Sequence, residues 1–312
     1  MKDKNKQVFT NQYMLMTLAL ISCFLWGSAF PSIKVGYRLL SIGTGDTYEK
    51  IVFAGYRFFI SSMMIFAFCL ITGRSLKLQK KSHVSKVAFL GLLQTTIQYT
   101  FFYIGLSNTS GTLGSILSAS STFFTVIIAH FFFKTDRLTY RRATGVILGF
   151  IGVIIANMNS GGFQGGFNIT GEGFVIISSL VGAVAGIYTK KITKDISPFA
   201  ISGYQLFIGS IVLIVIGVLG GGKDISFTPR GFILLLYLGF ISAAAFTLWS
   251  ILLKYNGVGR VSIYKFSIPL FGAFLSYIFL GENFFGFYII TAAVLVSLGI
   301  LLINARPTTK AD

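Results

Sequence analysis

The stretch GYRFFISS at 55–62 returns as GYQLFIGS at 203–210. Five of the eight positions agree: Gly55/Gly203, Tyr56/Tyr204, Phe59/Phe207, Ile60/Ile208 and Ser62/Ser210. The same shift of 148 residues carries Gly73 onto Gly221. A shift of 147 aligns 115–157 on 262–304 without a gap, pairing Ser115/Ser262, Ser120/Ser267, Phe124/Phe271, Thr144/Thr291, Gly152/Gly299 and Asn157/Asn304. A weaker match joins Ser22, Ala29 and Lys34 to Ser178, Ala185 and Lys190. One nearly constant offset over these regions reads as an internal duplication. Within the opening phrase, Arg57 and Gln205 are where the two copies part company.

The setting of the repeat is apolar. Of 312 residues, 54% are hydrophobic and only 11% charged, with a mean hydropathy of +0.78. A soluble domain carries roughly a quarter charged residues, so this chain could not cover a globular surface, and a lipid bilayer is the solvent that suits it. The net charge of +17 then reads as basic cytoplasmic loops rather than nucleic-acid binding. Cys23 and Cys69 both lie in apolar runs and read as small hydrophobes, with no disulfide or metal framework implied. The first apolar run, from about Tyr13 to Val35 after Lys2, Lys4 and Lys6, is too long for a signal-peptide core and is expected to be retained.

A spanning helix needs about 20 apolar residues. Charge, Gly/Asn/Ser and Pro divide the chain into ten such spans, at 13–36, 49–72, 85–106, 112–133, 141–158, 172–190, 198–219, 231–253, 260–280 and 285–304. The glycine-rich NSGGFQGGFNITG at 159–171 reads as the join between two halves. With an inside N-terminus, 19 of the 26 lysines and arginines fall on one side, five on the other, and Arg57 and Lys265 within spans. That bias predicts both termini in the cytoplasm. Five spans per half is an odd number, so the second half would enter the membrane from the opposite side. The expected fold is all-α and integral to the membrane, with ten helices as two inverted five-helix repeats, 1–158 and 172–312. Secondary transporters commonly use this arrangement, with the substrate near mid-membrane between the halves.

WGSAFPSIK (26–34) in span 1, the GYRF arginine in span 2, FFFKTDRLTYRRATGVILGFIGVIIA (131–156) in spans 4–5 and IPLFGAFLSYIFLGE (268–282) in spans 9–10 resemble the drug/metabolite transporter superfamily, specifically the EamA-type ten-helix permeases. The resemblance covers almost the whole chain. It implies a 5+5 bundle, a central cavity and export of small metabolites, amino acids among them. One departure stands out: the family's Gly-Glu or Lys-Glu pair follows span 9 as Gly281-Glu282, but the end of span 4 has KTD, leaving Asp136 one position out of register.

No enzyme is expected, nor any cofactor or metal. All nine carboxylates lie in tails, loops or span ends, and His83 and His130 are the two histidines. The lack of a mid-membrane carboxylate argues against that form of proton coupling. The ionisable groups within spans are Arg57, Lys265 and His130. Burying a charge in the bilayer costs at least ~2.5–3.5 kcal/mol, so each needs an explanation. Arg57 lies about 12 Å into span 2 and Lys265 about 8 Å into span 9 at the helical rise. Either can snorkel to the interface, bond carbonyls at an interrupted helix, or await an anionic substrate group. His130 is a candidate for proton coupling or an interfacial polar residue.

Pro31 and Pro269 free the carbonyls of Gly27 and Lys265, marking packing kinks or gating hinges. Trp26, Gln98, Tyr99, Tyr103, Ser118, Trp249 and Tyr264 join Arg57 and Lys265 as substrate-binding candidates, each weighed against ordinary packing. Gln94/Gln98 and Tyr99/Tyr103 are i, i+4 pairs that share helix faces. Such a wall suits amphipathic or aromatic solutes. The leading expectation is a plasma-membrane carrier of amino-acid-like or amphipathic metabolites, exporting by alternating access. Its partners are the solute and the bilayer, with a homodimer allowed but not required. An exchanger of anionic or phosphorylated solutes, with Arg57 and Lys265 as anchors, is the second reading, and a non-transporting membrane scaffold the third.

Overall fold

A computed structural model describes residues 2–43, 45–108, 111–133, 136–157, 168–222, 225, 228–280 and 287–304. Among these residues the regular elements are all helical. They run α1 (Lys2–Thr10), α2 (Gln12–Leu39), α3 (Thr47–Ile71), α4 (Lys81–Leu90), a π turn (Gly91–Ile97), α5 (Gln98–Ser107), α6 (Gly111–Phe132) and α7 (Tyr140–Asn157). A second π turn (Ile169–Gly173) leads into α8 (Phe174–Ile192), followed by α9 (Pro198–Leu219), α10 (Pro229–Tyr255) and α11 (Val258–Ser262). A 3-10 turn (Ile263–Phe266), α12 (Ser267–Leu280) and α13 (Phe287–Asn304) complete the order. Of the expected join, 158–167 lies outside the described residues, as does Gly281-Glu282.

Seven helical stretches among the described residues are long and apolar enough to cross a membrane: Gln12–Leu39, Thr47–Ile71, Lys81–Leu106, Ile169–Ile192, Pro198–Leu219, Pro229–Tyr255 and Val258–Phe279. Leu117–Phe132 and Ile290–Ile303 are shorter apolar helices. The chain is therefore a multi-pass membrane protein. By this measure the described spans number seven against the expected ten, because the fourth and tenth expected spans keep shorter apolar runs; α7 lies over the fifth.

Helix boundaries follow local chemistry. The Asn11 side chain accepts hydrogen bonds from the Tyr13 and Met14 N–H groups, and Thr228 does the same for Gly231 just before Pro229. These bonds satisfy donors that a helix start leaves without partners. The ends of α3 and α9 are alike residue by residue. Thr72 N–H donates to Phe68 O and Arg74 N–H to Cys69 O; Gly220 N–H donates to Ile216 O and Gly222 N–H to Gly217 O. Gly73 and Gly221 adopt φ of 65° and 94° between them, the left-handed turn that glycine permits at a helix end. All these positions are related by the shift of 148.

The packing keeps the same correspondence. The most extensive helix contacts are α3 with α9 and α7 with α13. The other main contacts come in pairs: α2 on α10 with α5 on α8, α2 on α12 with α8 on α6, and α3 on α10 with α9 on the first π turn. Exchanging first-half helices for second-half helices leaves this pattern unchanged. Close approach depends on small residues, as membrane helix packing does. A Cβ on Gly55 would come within 2.5 Å of Ile214 Cγ1, and one on Gly203 within 2.6 Å of Phe66 Cε1. Phe66 and Ile214 are themselves 148 apart.

The two proline expectations part ways, and the basic tail adds a helix outside the expected spans. The basic N-terminal tail forms helix α1, whose Phe9 ring stacks on Tyr255 at 5.2 Å and whose Phe9 carbonyl accepts from Asn256 Nδ2 at 2.9 Å. Pro269 does not kink the middle of a helix. It sits in the first turn of α12, where its missing N–H has no helical partner to lose, and the break is the 3-10 turn that holds Lys265. Pro31 does lie inside a helix, α2. The Gly27 carbonyl freed there faces Gly272 of α12, and the missing side chain of Gly27, where a Cβ would come within 2.7 Å of Phe271 Cβ, lets the two helices meet.

Candidate functional site

Near the middle of the bundle, α2, α3, α5 and α10 contribute a continuous row of aromatic rings. Trp26 meets Trp249 at 5.1 Å and Phe246 at 5.5 Å between ring centroids. Phe246 meets Phe58 at 6.3 Å, Phe58 meets Tyr99 at 4.6 Å, and Tyr99 meets Tyr103 at 6.2 Å. These spacings fall in the range where tilted and edge-to-face rings attract. Helix geometry sets the row: Trp26 is the fifteenth of the 28 residues of α2, and Phe58 the twelfth of the 25 of α3.

Two cations flank the row. At one end the Lys265 ammonium lies 5.3 Å from the centre of the Trp249 ring. Farther along, the Arg57 guanidinium lies 5.2 Å from the centre of Phe58. Their surroundings differ. Arg57 is only 2% exposed, and its Nε donates to Ser242 Oγ at 2.8 Å. The Tyr103 and Tyr37 hydroxyls lie close to the guanidinium, and the Lys50 ammonium lies 5.7 Å from the Tyr37 ring. Arg57 therefore does not snorkel to the membrane surface. It is bonded inward, to Ser242 in the middle of α10. Lys265 is half-buried on the 3-10 turn, and among the described residues no hydrogen bond or ion pair engages its ammonium.

The residues singled out in the sequence divide into two groups. Trp26, Arg57, Tyr99, Tyr103, Trp249 and Lys265 come together in this row and its ends. Gln98 adjoins it on α5, its backbone carbonyl accepting from Ser178 at 2.9 Å while its side chain lies against Gly182. Tyr264, 1% exposed, is packed in the apolar core cluster that also holds Trp249, and its carbonyl accepts from Cys23 Sγ at 3.2 Å. Ser118 lies at the α6–α8 contact, its carbonyl 3.4 Å from Ser179 Oγ. His130 stands at the end of α6, where its Nδ1 accepts the Leu138 N–H at 2.9 Å and ties down the loop before α7. It does not reach the row.

Phe58, Phe246, Ser242 and Tyr37 complete the site without having been singled out. Phe58 and Phe246 are two among 33 phenylalanines, and Ser242 reaches Arg57 across 185 residues of chain. No local pattern marks such partners. The first π turn, Gly91–Ile97, was equally silent in the sequence. It holds Gln94 and docks on α9 through Thr96 Oγ1, which donates to Gly209 O at 3.1 Å. Such single-turn bulges occur often at functional sites.

A second polar cluster closes one end of the bundle. Asp136 is buried, its Oδ2 accepting the Val258 N–H at 2.6 Å and its Oδ1 3.4 Å from Arg142 Nη1. Nearby, Lys190 Nζ donates to the Asn256 carbonyl at 2.8 Å. The out-of-register aspartate thus joins the α6–α7 loop to the α10–α11 connection, and no symmetric partner is needed for that task.

The model of the EamA-like transporter family matches this chain twice, over residues 14–158 and 169–305. An uncharacterized transporter of Archaeoglobus fulgidus is 26% identical over 271 residues, which is 86% of this chain and 90% of that protein. The uncharacterized inner membrane transporter YedA of Escherichia coli strain K12 is 25% identical over 293 residues, 91% of this chain and 90% of its own length. A solved crystal structure superposes with a TM-score of 0.78 at 15% identity, covering 94% of this chain and 97% of the other. That likeness extends the fold over nearly the whole length.

Proposed function

From a chain that belongs to the EamA-like transporter family, we infer a secondary transporter that exports small amphipathic metabolites by alternating access. The two halves, 1–158 and 172–312, are inverted five-helix repeats that rock about a central substrate row. The observation that carries this reading is the agreement of sequence shift with contact: Gly55 faces Ile214 as Gly203 faces Phe66. The matched ends of α3 and α9 and the paired helix contacts support it further. So does the double match of the family model, which falls on either side of the glycine-rich join. Rings from both halves meet in the row, where a substrate between two moving halves must bind.

The substrate residues in this reading are Trp26, Arg57, Tyr99, Tyr103, Trp249 and Lys265, with Gln98 alongside. Pro31 marks the place where α2 can flex against α12. Purified protein in proteoliposomes tests the reading with a panel of radiolabelled aromatic and aliphatic metabolites, measured with and without a pH gradient. The expected result is saturable counterflow of at least one solute without any gradient. Strict dependence on the gradient would overturn the argument from missing mid-span carboxylates. Absence of flux for every solute would overturn transport itself.

A further inference from the structure

We propose that Lys265 is the anchor for a carboxylate, and that the site selects organic monoanions with a flat apolar body over zwitterions of the same shape. The inference rests on the transport reading for its purpose but not for its geometry.

The argument is one of charge. Arg57 and Lys265 both lie beside the aromatic row, and among the described residues neither has an ion-pair partner. The described carboxylates sit on other elements: Asp3 on α1, Asp46 and Glu49 at the start of α3, Asp136 before α7, Glu172 before α8 and Asp195 after it. A charge taken from water needs a countercharge or a full set of hydrogen bonds. Arg57 has its Nε bonded to Ser242 Oγ at 2.8 Å and the face of Phe58 beside it. Lys265 has only the face of Trp249, a weaker electrostatic partner. A second donor points the same way: Trp26 Nε1 is buried without an acceptor, and its ring lies against Trp249. An ammonium over one ring of this pair and an indole N–H without an acceptor on the other call for an acceptor that carries negative charge. The rings of Trp26, Phe246 and Phe58 then offer the attached body an apolar surface.

The neutral groups nearby do not change the sign of the site. The side-chain oxygens of Gln98 and Thr247 also lack partners, but a hydroxyl can turn and an amide can present its nitrogen instead. Neither supplies countercharge. A zwitterionic amino acid would bring an ammonium into a site already holding two cations, and like charges at close range oppose binding. With one cation short of partners, a singly charged carboxylate fits the deficit.

Three solutes isolate the effect: 3-phenylpropanoate, phenylalanine and phenethylamine share a phenyl ring and differ in charge as anion, zwitterion and cation. Trp26 and Trp249 are the protein's two tryptophans, so intrinsic fluorescence of the full chain in detergent reads occupancy without a transport assay. The expected result is saturable quenching by 3-phenylpropanoate with about ten-fold tighter affinity than phenylalanine, and no response to phenethylamine. Lys265→Met should lose that preference, while Lys265→Arg should keep it. Equal affinity for anion and zwitterion, no binding of the anion, or a Lys265→Met variant that binds 3-phenylpropanoate as the wild type does would overturn the anchor. Should Lys265→Met fail to fold, the wild-type comparison alone decides. Anion binding without flux in proteoliposomes would sink the transport reading and leave the anchor. Flux indifferent to solute charge would do the reverse.

Discussion

Arg57 and Lys265 illustrate how little a residue's type says about its role. Both are cations within apolar runs, and the sequence offers each the same three explanations. The fold separates them through partners brought from distant positions. Ser242, on α10, accepts a hydrogen bond from Arg57 Nε and so fixes the Arg57 side chain beside the row. Replacing it tests this directly. Ser242→Ala leaves a buried charged donor without its acceptor, an expected loss of about 1–3 kcal/mol, read as a lower melting temperature in detergent. Arg57→Gln combined with Ser242→Ala should cost less than the sum of the two single changes, because the orphaned charge is then gone. Strict additivity would mean that the bond contributes nothing. Lys265 lies one turn before Pro269 in the sequence, a spacing that drew attention to it. The unpaired ammonium over Trp249 became visible only with the fold.

At the scale of elements, helix ends and crossings carry the most information. The positive-φ glycines Gly73 and Gly221 end α3 and α9 with matching hydrogen bonds, and their correspondence was legible as a shift of 148. The crossing of these helices is tight at two related places. Gly203→Val should destabilise by about 1–3 kcal/mol through overpacking against Phe66, again seen by thermal melting. Trimming the neighbour in Gly203→Val/Phe66→Ala should recover part of the loss; no recovery would mean the strain lies elsewhere. Asp136→Ala removes the acceptor for Val258 N–H and the partner of Arg142. A loss of about 1–3 kcal/mol is expected, whereas Asp136→Glu keeps the charge but misplaces it. What the sequence did not reveal at this scale is irregularity. The π turn at Gly91–Ile97 and the 3-10 turn at Ile263–Phe266 arise from packing against neighbouring helices, which no run of apolar residues records.

For the whole molecule, the charge bias predicts which side of the membrane each loop faces. Arg230 and Lys77 are both exposed, while Cys23 and Cys69 are buried and should stay silent. In intact cells a membrane-impermeant maleimide is expected to label Arg230→Cys but not Lys77→Cys, and to label both after permeabilisation. The opposite pattern would invert the topology. By itself the sequence determined the membrane environment, the helical class and the twofold correspondence between halves. Each of these is written in composition, in the length of apolar runs or in a constant offset, and each survives averaging over many residues. Only the tertiary structure decided which cation finds a hydrogen-bond partner, which proline lies inside a helix, and which aromatic rings form a row. Those outcomes depend on single contacts between residues far apart in the chain, such as Arg57 with Ser242 or Trp26 with Trp249. Apolar helices share a small alphabet, and a partner two hundred residues away leaves no mark beside the residue it completes.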